Sequence, residues 1–314
     1  MVKTSFRISG VEFKNRVLVA SGTFGYGDEC LEAKDLNKLG GIITKSLSMK
    51  PRDGNPPTRI IETPSGMLNS IGLANIGVEE FISSKIPFLR ALDTAIIVNI
   101  AASTIDEYCE VVDVLEDEES IDGYEINVSC PNVREGGLSF GTSCELTEQI
   151  TKRVRERTSK PVIMKLTPNV THISEFARAV EGAGADAISA INTVIGMAID
   201  IKTRMPVLST VTGGLSGPAI KPIALAKVYE IARVVRIPII GIGGIMKASD
   251  AIEFLMAGAI AVQVGTANFI DPESGIKIAE GIRSYCEERH IDDVGTMVGS
   301  LDAKADTSVL DSWL

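Results

Sequence analysis

Short apolar runs alternate with longer amphipathic stretches along most of this chain. The short runs fall at 17–20, 41–44, 95–100, 123–128, 162–166, 187–191, 238–242 and 261–264, and their continuous apolar character predicts strands covered on both faces. Between them, apolar positions recur at helical spacing over 28–39, 78–85, 104–115, 145–157, 173–183, 218–234, 248–257 and 275–288. Eight strand–helix units in strict alternation predict a closed parallel (β/α)8 TIM barrel rather than an open sheet. Ahead of the first unit, Ser5-Phe6-Arg7-Ile8 and Val11-Glu12-Phe13 flank Ser9-Gly10 and predict an N-terminal β-hairpin. Two insertions break the rhythm, at 50–77 and 196–217. Both follow a strand, which puts both on the C-terminal face of a barrel, where barrel active sites are built. The second contains Pro206-Val207-Leu208-Ser209-Thr210-Val211 and predicts a second hairpin. No linker or shift of composition divides the chain, so residues 1–314 are expected to form one domain.

The fourth strand ends in an unusual way. Tyr124, Ile126 and Val128 share one face, which leaves Glu125, Asn127 and Ser129 on the other. Pro131 lacks an N–H and biases Cys130 away from helical dihedrals, so the strand ends with a thiol at its tip. Gly136, Gly137 and Gly141 follow, a composition suited to a flap over the strand end. Cys130 is then either a group presented to a substrate or a buried, inert cysteine.

Composition narrows the function classes. The net charge of -10 argues against a nucleic-acid or anionic-membrane surface. Five scattered cysteines without a CxxC suggest neither a disulfide framework nor a zinc or iron–sulfur site, and they suit a reducing cytoplasm. Two histidines leave little material for a metal centre, and no metal is expected. No apolar run reaches the roughly 18 residues that span a bilayer, and 1–10 has no apolar signal core. The polar tail after Asp302 reads as a docking segment or a free end.

Polar residues recur at one level, the C-terminal end of each predicted strand. They are Ser21 and Gly22, Lys45 and Ser46, Asn99, Asn127 and Cys130, Lys165, then Asn192 and Thr193. Two lysines and three asparagines converging on one mouth are costly unless they meet a ligand. Gly243-Gly244 and Gly265-Thr266 follow the seventh and eighth strands, where barrels often hold a phosphate on backbone N–H groups. The same glycines also suit plain tight turns. Lys165 has two readings as well. It is either a cation against the N1–C2 edge of a flavin, stabilising the anionic reduced ring, or the partner of a core carboxylate such as Glu125.

Together these stretches resemble the dihydroorotate dehydrogenases, and among them class 1B. The resemblance rests on Thr44-Lys45-Ser46, Asn69-Ser70-Ile71-Gly72-Leu73, Asn127-Val128-Ser129-Cys130-Pro131-Asn132 and Met164-Lys165-Leu166-Thr167-Pro168-Asn169. Asn192-Thr193, Gly213-Gly214-Leu215-Ser216-Gly217-Pro218, Gly241-Ile242-Gly243-Gly244 and Gly265-Thr266 extend it over nearly the whole chain in family order. Class 2 members carry a membrane-associated extension and a serine base, which this sequence lacks. The stretch from Gly196 to Arg204 looks like 1B, and the tail after Leu301 is longer than the family pattern.

The resemblance implies FMN across the barrel mouth, contacted by Ser21, Lys45, Ser46, Asn99, Asn127, Lys165, Ile191, Gly217, Gly243, Gly244, Gly265 and Thr266. It implies that dihydroorotate stacks on the flavin and is held by Lys45, Asn69, Ser70, Ile71, Gly72, Leu73, Asn127, Asn192 and Thr193. Cys130 is then the base that takes the C5 proton while the C6 hydride goes to FMN. It further implies a partner subunit with FAD and a [2Fe–2S] cluster that passes electrons to NAD, in a heterotetramer of two subunits of each kind. The competing readings are a class 1A enzyme using fumarate, another flavin barrel reducing a pyrimidine, a non-redox barrel binding a sugar phosphate, and a catalytically silent scaffold.

Overall fold

The computed structural model describes residues 2–30, 35–129, 134–135 and 138–302. Eight parallel strands close into a barrel: β1 (Val17–Val19), β2 (Gly41–Ile43), β3 (Ala95–Ile100), β4 (Gly123–Asn127), β5 (Val162–Leu166), β6 (Ala187–Ala190), β7 (Ile239–Ile242) and β8 (Ala261–Val264). Closure is made by β8 against β1, with Val262 opposite Val17. Every residue of β3, β4 and β5 is buried, because helices cover the outside and side chains fill the inside. Alternation along each strand sorts the two faces. Ile96, Val98 and Ile100 of β3 join the apolar layer under the helices. Ala95 and Ile97 point the other way and meet Leu18, Ile43, Ile163, Ala187, Ile240 and Ala261 in a separate interior cluster.

That interior floor is closed from below by the N-terminal hairpin, Phe6–Ile8 paired with Val11–Phe13 as expected. Phe6 and Phe13 stack with ring centroids 4.6 Å apart and join the interior cluster with Ile8. Phe13 is fully buried, and burying such a ring stabilises by about 2–3 kcal/mol. The lower half of the barrel is therefore a packed core, and only the upper end is left for chemistry.

Helices at Ile105–Leu115, Cys144–Arg155, Ile173–Gly182, Lys221–Ala232, Ala248–Met256 and Ser274–Glu288 follow their strands as the periodicity predicts. Thr104 and Ser143 cap two of them by accepting from the Glu107 and Leu146 N–H groups. Two helices differ from expectation. Over 28–39 the described residues form only short 3-10 turns, Asp28–Cys30 and Leu36–Lys38. Other contacts claim the acidic side chains there: Lys85 pairs with Asp28 at 2.6 Å and with Glu29 at 3.7 Å, and Glu29 also accepts locally from the Tyr26 N–H. The segment expected over 78–85 runs on through Val78–Glu80, Phe81–Lys85 and Ile86–Leu89, with the middle part π-helical.

The two insertions do lie on the C-terminal face, but they do not stay separate. Ile60–Thr63 and Gly66–Asn69 pair with each other, and Gly66–Asn69 pairs with Thr212–Ser216, which pairs with Val194–Met197. One four-stranded antiparallel sheet results. The hairpin expected of the 196–217 insertion is made by Val194–Met197 with Thr212–Ser216, and within it Met205–Pro206 pairs with Ile199–Asp200. Among the described residues no helix is long and apolar enough to cross a membrane.

Candidate active site

The layer above the apolar floor is polar. Parallel register sets Glu125 of β4 beside Asn99 of β3 and sets Lys165 of β5 beside Asn127 and Ser189. Glu125 is wholly buried, and its two oxygens accept from three side chains. Lys165 Nζ lies 3.1 Å from Oε1, Asn99 Nδ2 2.6 Å from the same oxygen, and Gln263 Nε2 2.6 Å from Oε2. Of the two sequence readings of Lys165, the pairing with Glu125 is thus observed. It does not exclude the other, because an ammonium has three donors and the carboxylate takes one. Asn99 Oδ1 accepts from Ser46 Oγ at 2.5 Å, and Ser21 Oγ lies 3.4 Å from Ser46 Oγ. Four of the expected contacts, Ser21, Ser46, Asn99 and Lys165, are therefore arms of one network centred on Glu125. Ser189 Oγ and Gln263 Oε1 in this layer are buried without a partner among the described residues.

Higher up, Asn127 Oδ1 accepts from the Ser129 N–H at 3.2 Å and from Asn192 Nδ2 at 3.4 Å. Tyr108 fixes the same turn by donating to the Asn127 carbonyl at 2.8 Å. The Thr193 N–H donates to Asn192 Oδ1, and the Ile191 N–H to the Ile242 carbonyl. Lys45 is half-buried, and its Nζ makes no hydrogen bond or ion pair with a described residue. Its backbone is held by the Gly25 carbonyl. Cys130 lies outside the described residues, as do Gly136 and Gly137. Cys109, Cys144 and Cys286 are free thiols, and burial pushes each one up, away from the thiolate.

Gly217, Gly243 and Gly244 all have left-handed backbones. A Cβ at Gly244 would stand 2.8 Å from the Gly217 carbonyl and 2.9 Å from the Lys221 N, so these loops touch through backbone. The Gly243 and Gly244 N–H groups donate to no described residue in the structure. A Cβ at Gly265 would make ordinary contact with Ala20 Cβ at 3.6 Å and Thr23 Cγ2 at 3.9 Å, and Thr266 donates from Oγ1 to Ser216 Oγ at 2.9 Å. Lys221 ties the cradle to the next helix through Asp250 at 2.8 Å and Glu253 at 2.9 Å.

Residues Asn69 to Leu73 come from the insertion sheet. Asn69 Nδ2 donates to the Gly214 carbonyl, the Ser70 hydroxyl meets Thr210 and Asn55, and the Ile71 carbonyl accepts from the Asn55 N–H. Gly72 and Leu73 are both left-handed. A Cβ at Gly72 would stand 2.5 Å from the Asn55 N.

The chain matches the family model for dihydroorotate dehydrogenase over residues 3–285. The chain belongs to the dihydroorotate dehydrogenase family. Similar proteins named "Dihydroorotate dehydrogenase B (NAD(+)), catalytic subunit" include one from Geotalea uraniireducens, 53% identical over 95% of this chain and 97% of that protein. One from Trichlorobacter lovleyi is 52% identical over 95% of this chain and 98% of its own. One from a Thermoanaerobacter species is 54% identical over 94% and 97%.

Dihydroorotate dehydrogenases are flavin-dependent in general, and the donor set here suits a phosphate-bearing flavin. Glycine amides in left-handed turns, without an acceptor among the described residues, suit a phosphate. Two lysines and several amide side chains suit a planar ring with imide edges. The buried hub was only half visible from sequence. Glu125 showed itself as a charge on the inward face of β4, but Gln263 and Ser189 carried no comparable signal and were missed.

Proposed function

We propose that this chain oxidises (S)-dihydroorotate to orotate in de novo pyrimidine biosynthesis, with FMN as its flavin and NAD as the final acceptor. The reading is supported above all by near full-length similarity, at about half identity, to catalytic subunits named for that NAD-linked reaction. That similarity favours class 1B over the fumarate-dependent class 1A. Residues 1–314 act as one barrel domain in the cytoplasm.

When bound, FMN supplies the electron-pair acceptor that the hydride leaving C6 of the substrate needs. The residues that would hold it are Ser21, Lys45, Ser46, Asn99, Asn127, Lys165, Ile191, Gly217, Gly243, Gly244, Gly265 and Thr266. The Cys130 thiolate takes the C5 proton, so that the C5–C6 double bond of orotate forms from the electron pair left behind. Lys45, whose Nζ has no partner among the described residues, meets the substrate carboxylate. Asn127, Asn192 and Thr193 present amide and hydroxyl groups to the imide edges of the ring. The segment from Asn69 to Leu73, braced by the insertion sheet, closes over the substrate and excludes water.

The barrel has no cysteine spacing for an iron–sulfur cluster and no second dinucleotide motif. The similar proteins are named as catalytic subunits, which implies a second subunit. We assign to that partner an FAD and a [2Fe–2S] cluster, in a heterotetramer of two subunits of each kind. The test is acceptor dependence. The isolated chain, loaded with FMN, should oxidise dihydroorotate with dyes but reduce NAD poorly, and co-expression with the partner should restore NAD reduction. Efficient NAD reduction by the chain alone would refute the partner, and efficient turnover with fumarate alone would move the enzyme to class 1A.

A further inference from the structure

We infer that Glu125 is a positioning residue that sets, through Lys165, the electrostatic field felt by the flavin ring, with Gln263 as its counterweight. The inference rests on the reading above, in which Lys165 faces the flavin.

A carboxylate with no access to water costs several kcal/mol even when paired. The Glu125 side chain is fully buried and that of Lys165 only 6% exposed. The barrel has no structural need of this pair at that level. The layer just below it is filled by Ile97, Ile163 and Ala261, and apolar residues of similar volume commonly replace a buried ion pair at no cost. The pair is held instead by three donors on two oxygens, and two of the three lead upward to the mouth. One is Lys165 itself. The other is Asn99, whose carbonyl accepts from Ser46. Gln263 leads nowhere, since its own Oε1 has no partner among the described residues. Its contact with Glu125 Oε2 spreads the carboxylate's negative charge and leaves Lys165 less neutralised than a bare ion pair would be.

The consequence for redox chemistry has a sign. A negative charge behind Lys165 weakens the cation's stabilisation of an anionic reduced ring, so it lowers the midpoint potential. Glu125→Gln removes the charge, keeps the shape, and should raise the potential. Gln263→Met removes the donor to Oε2, concentrates the negative charge, and should lower it. A hub that merely braced the barrel would alter melting temperature or FMN affinity in both variants, but it has no reason to move the potential in opposite directions.

The experiment is a spectroelectrochemical titration of FMN bound to the wild type, Glu125→Gln, Gln263→Met and Lys165→Met, without substrate, alongside FMN affinity by fluorescence. A tenfold change in the reduction equilibrium is about 30 mV for a two-electron couple. We expect Glu125→Gln to rise by at least that much, with Gln263→Met and Lys165→Met falling. If Lys165→Met falls while Glu125→Gln matches the wild type, the inference is overturned and the reading beneath it stands. If the wild type binds no FMN, or Lys165→Met leaves the potential unmoved, the reading fails and the inference fails with it. Should Glu125→Gln not retain FMN, Gln263→Met decides alone: a fall supports the inference, and no change overturns it.

Discussion

Gly244→Ala offers the sharpest test of the glycine cradle, because the structure supplies its own control. Gly244 has φ +67° and Gly299 has φ +68°, yet nothing stands within 4 Å of a Cβ at Gly299, whereas three atoms stand within 3 Å at Gly244. A left-handed backbone costs a non-glycine residue about 1–2 kcal/mol, and forcing a methyl into packed atoms costs about 1–3 kcal/mol more. Gly299→Ala should therefore lose about 1–2 kcal/mol and Gly244→Ala about 2–5 kcal/mol. Each kcal/mol lowers Tm by about 2–4 °C in a chain of this order of size, so the drops should be roughly 2–8 °C and 4–20 °C. Both variants stay folded, since domains are commonly stable by about 5–15 kcal/mol. The second readout separates function from stability. The atoms that must give way are the Gly217 carbonyl and the Lys221 N and Cβ, which form the cradle itself. Losing one charge-assisted bond from a backbone N–H to phosphate costs about 1.5–3 kcal/mol, or about 10- to 100-fold in FMN affinity. Calorimetry of the apoprotein and FMN titration by fluorescence measure the two effects. Equal Tm losses in the two variants, with FMN affinity unchanged in Gly244→Ala, would refute both the close approach and the phosphate site.

Cys130→Ser should bind FMN and orotate yet lower the rate of flavin reduction by dihydroorotate by tenfold or more at neutral pH, because a hydroxyl is a far weaker acid than a thiol. Stopped-flow bleaching measures it, and wild-type rates in the variant would remove Cys130 from the mechanism. A second prediction concerns pH. Burial works to raise the Asp250 carboxyl, but hydrogen bonds from Lys221 and the Met246 N–H outweigh it and hold the group below its ordinary value of 3.8. A carboxyl depressed by folding stabilises the protein above its unfolded-state value, and that contribution is lost as pH falls through the folded one. Asp250→Asn should then cost on the order of 1 kcal/mol at neutral pH, and the difference from wild type should shrink below the ordinary aspartate range. Urea unfolding across that range tests it, and a difference constant with pH would contradict the ion-pair account.

Much of this protein was legible in the sequence because much of it is local. Continuous apolar runs such as Ile239–Ile242 state that both faces are covered, and alternation in Ala95–Ile100 states which side chains point inward. The level of Lys45, Asn99, Asn127 and Lys165 followed from their places at strand ends. What no local pattern carries is the choice of partner. Glu125 meets Lys165 across 40 residues and Gln263 across 138, and only barrel closure and register bring them to one height. Gly66–Asn69 and Thr212–Ser216 looked like parts of two unrelated insertions until pairing joined them in one sheet. Over 28–39 the periodicity favours a helix, but at its start Lys85, more than 50 residues away in sequence, pairs with Asp28 and Glu29, and the described residues there form a 3-10 turn. Sequence determined which residues face the mouth, because facing is set by the two-residue repeat of a strand. Tertiary structure decided which of them share a charge, because that depends on distances no repeat encodes.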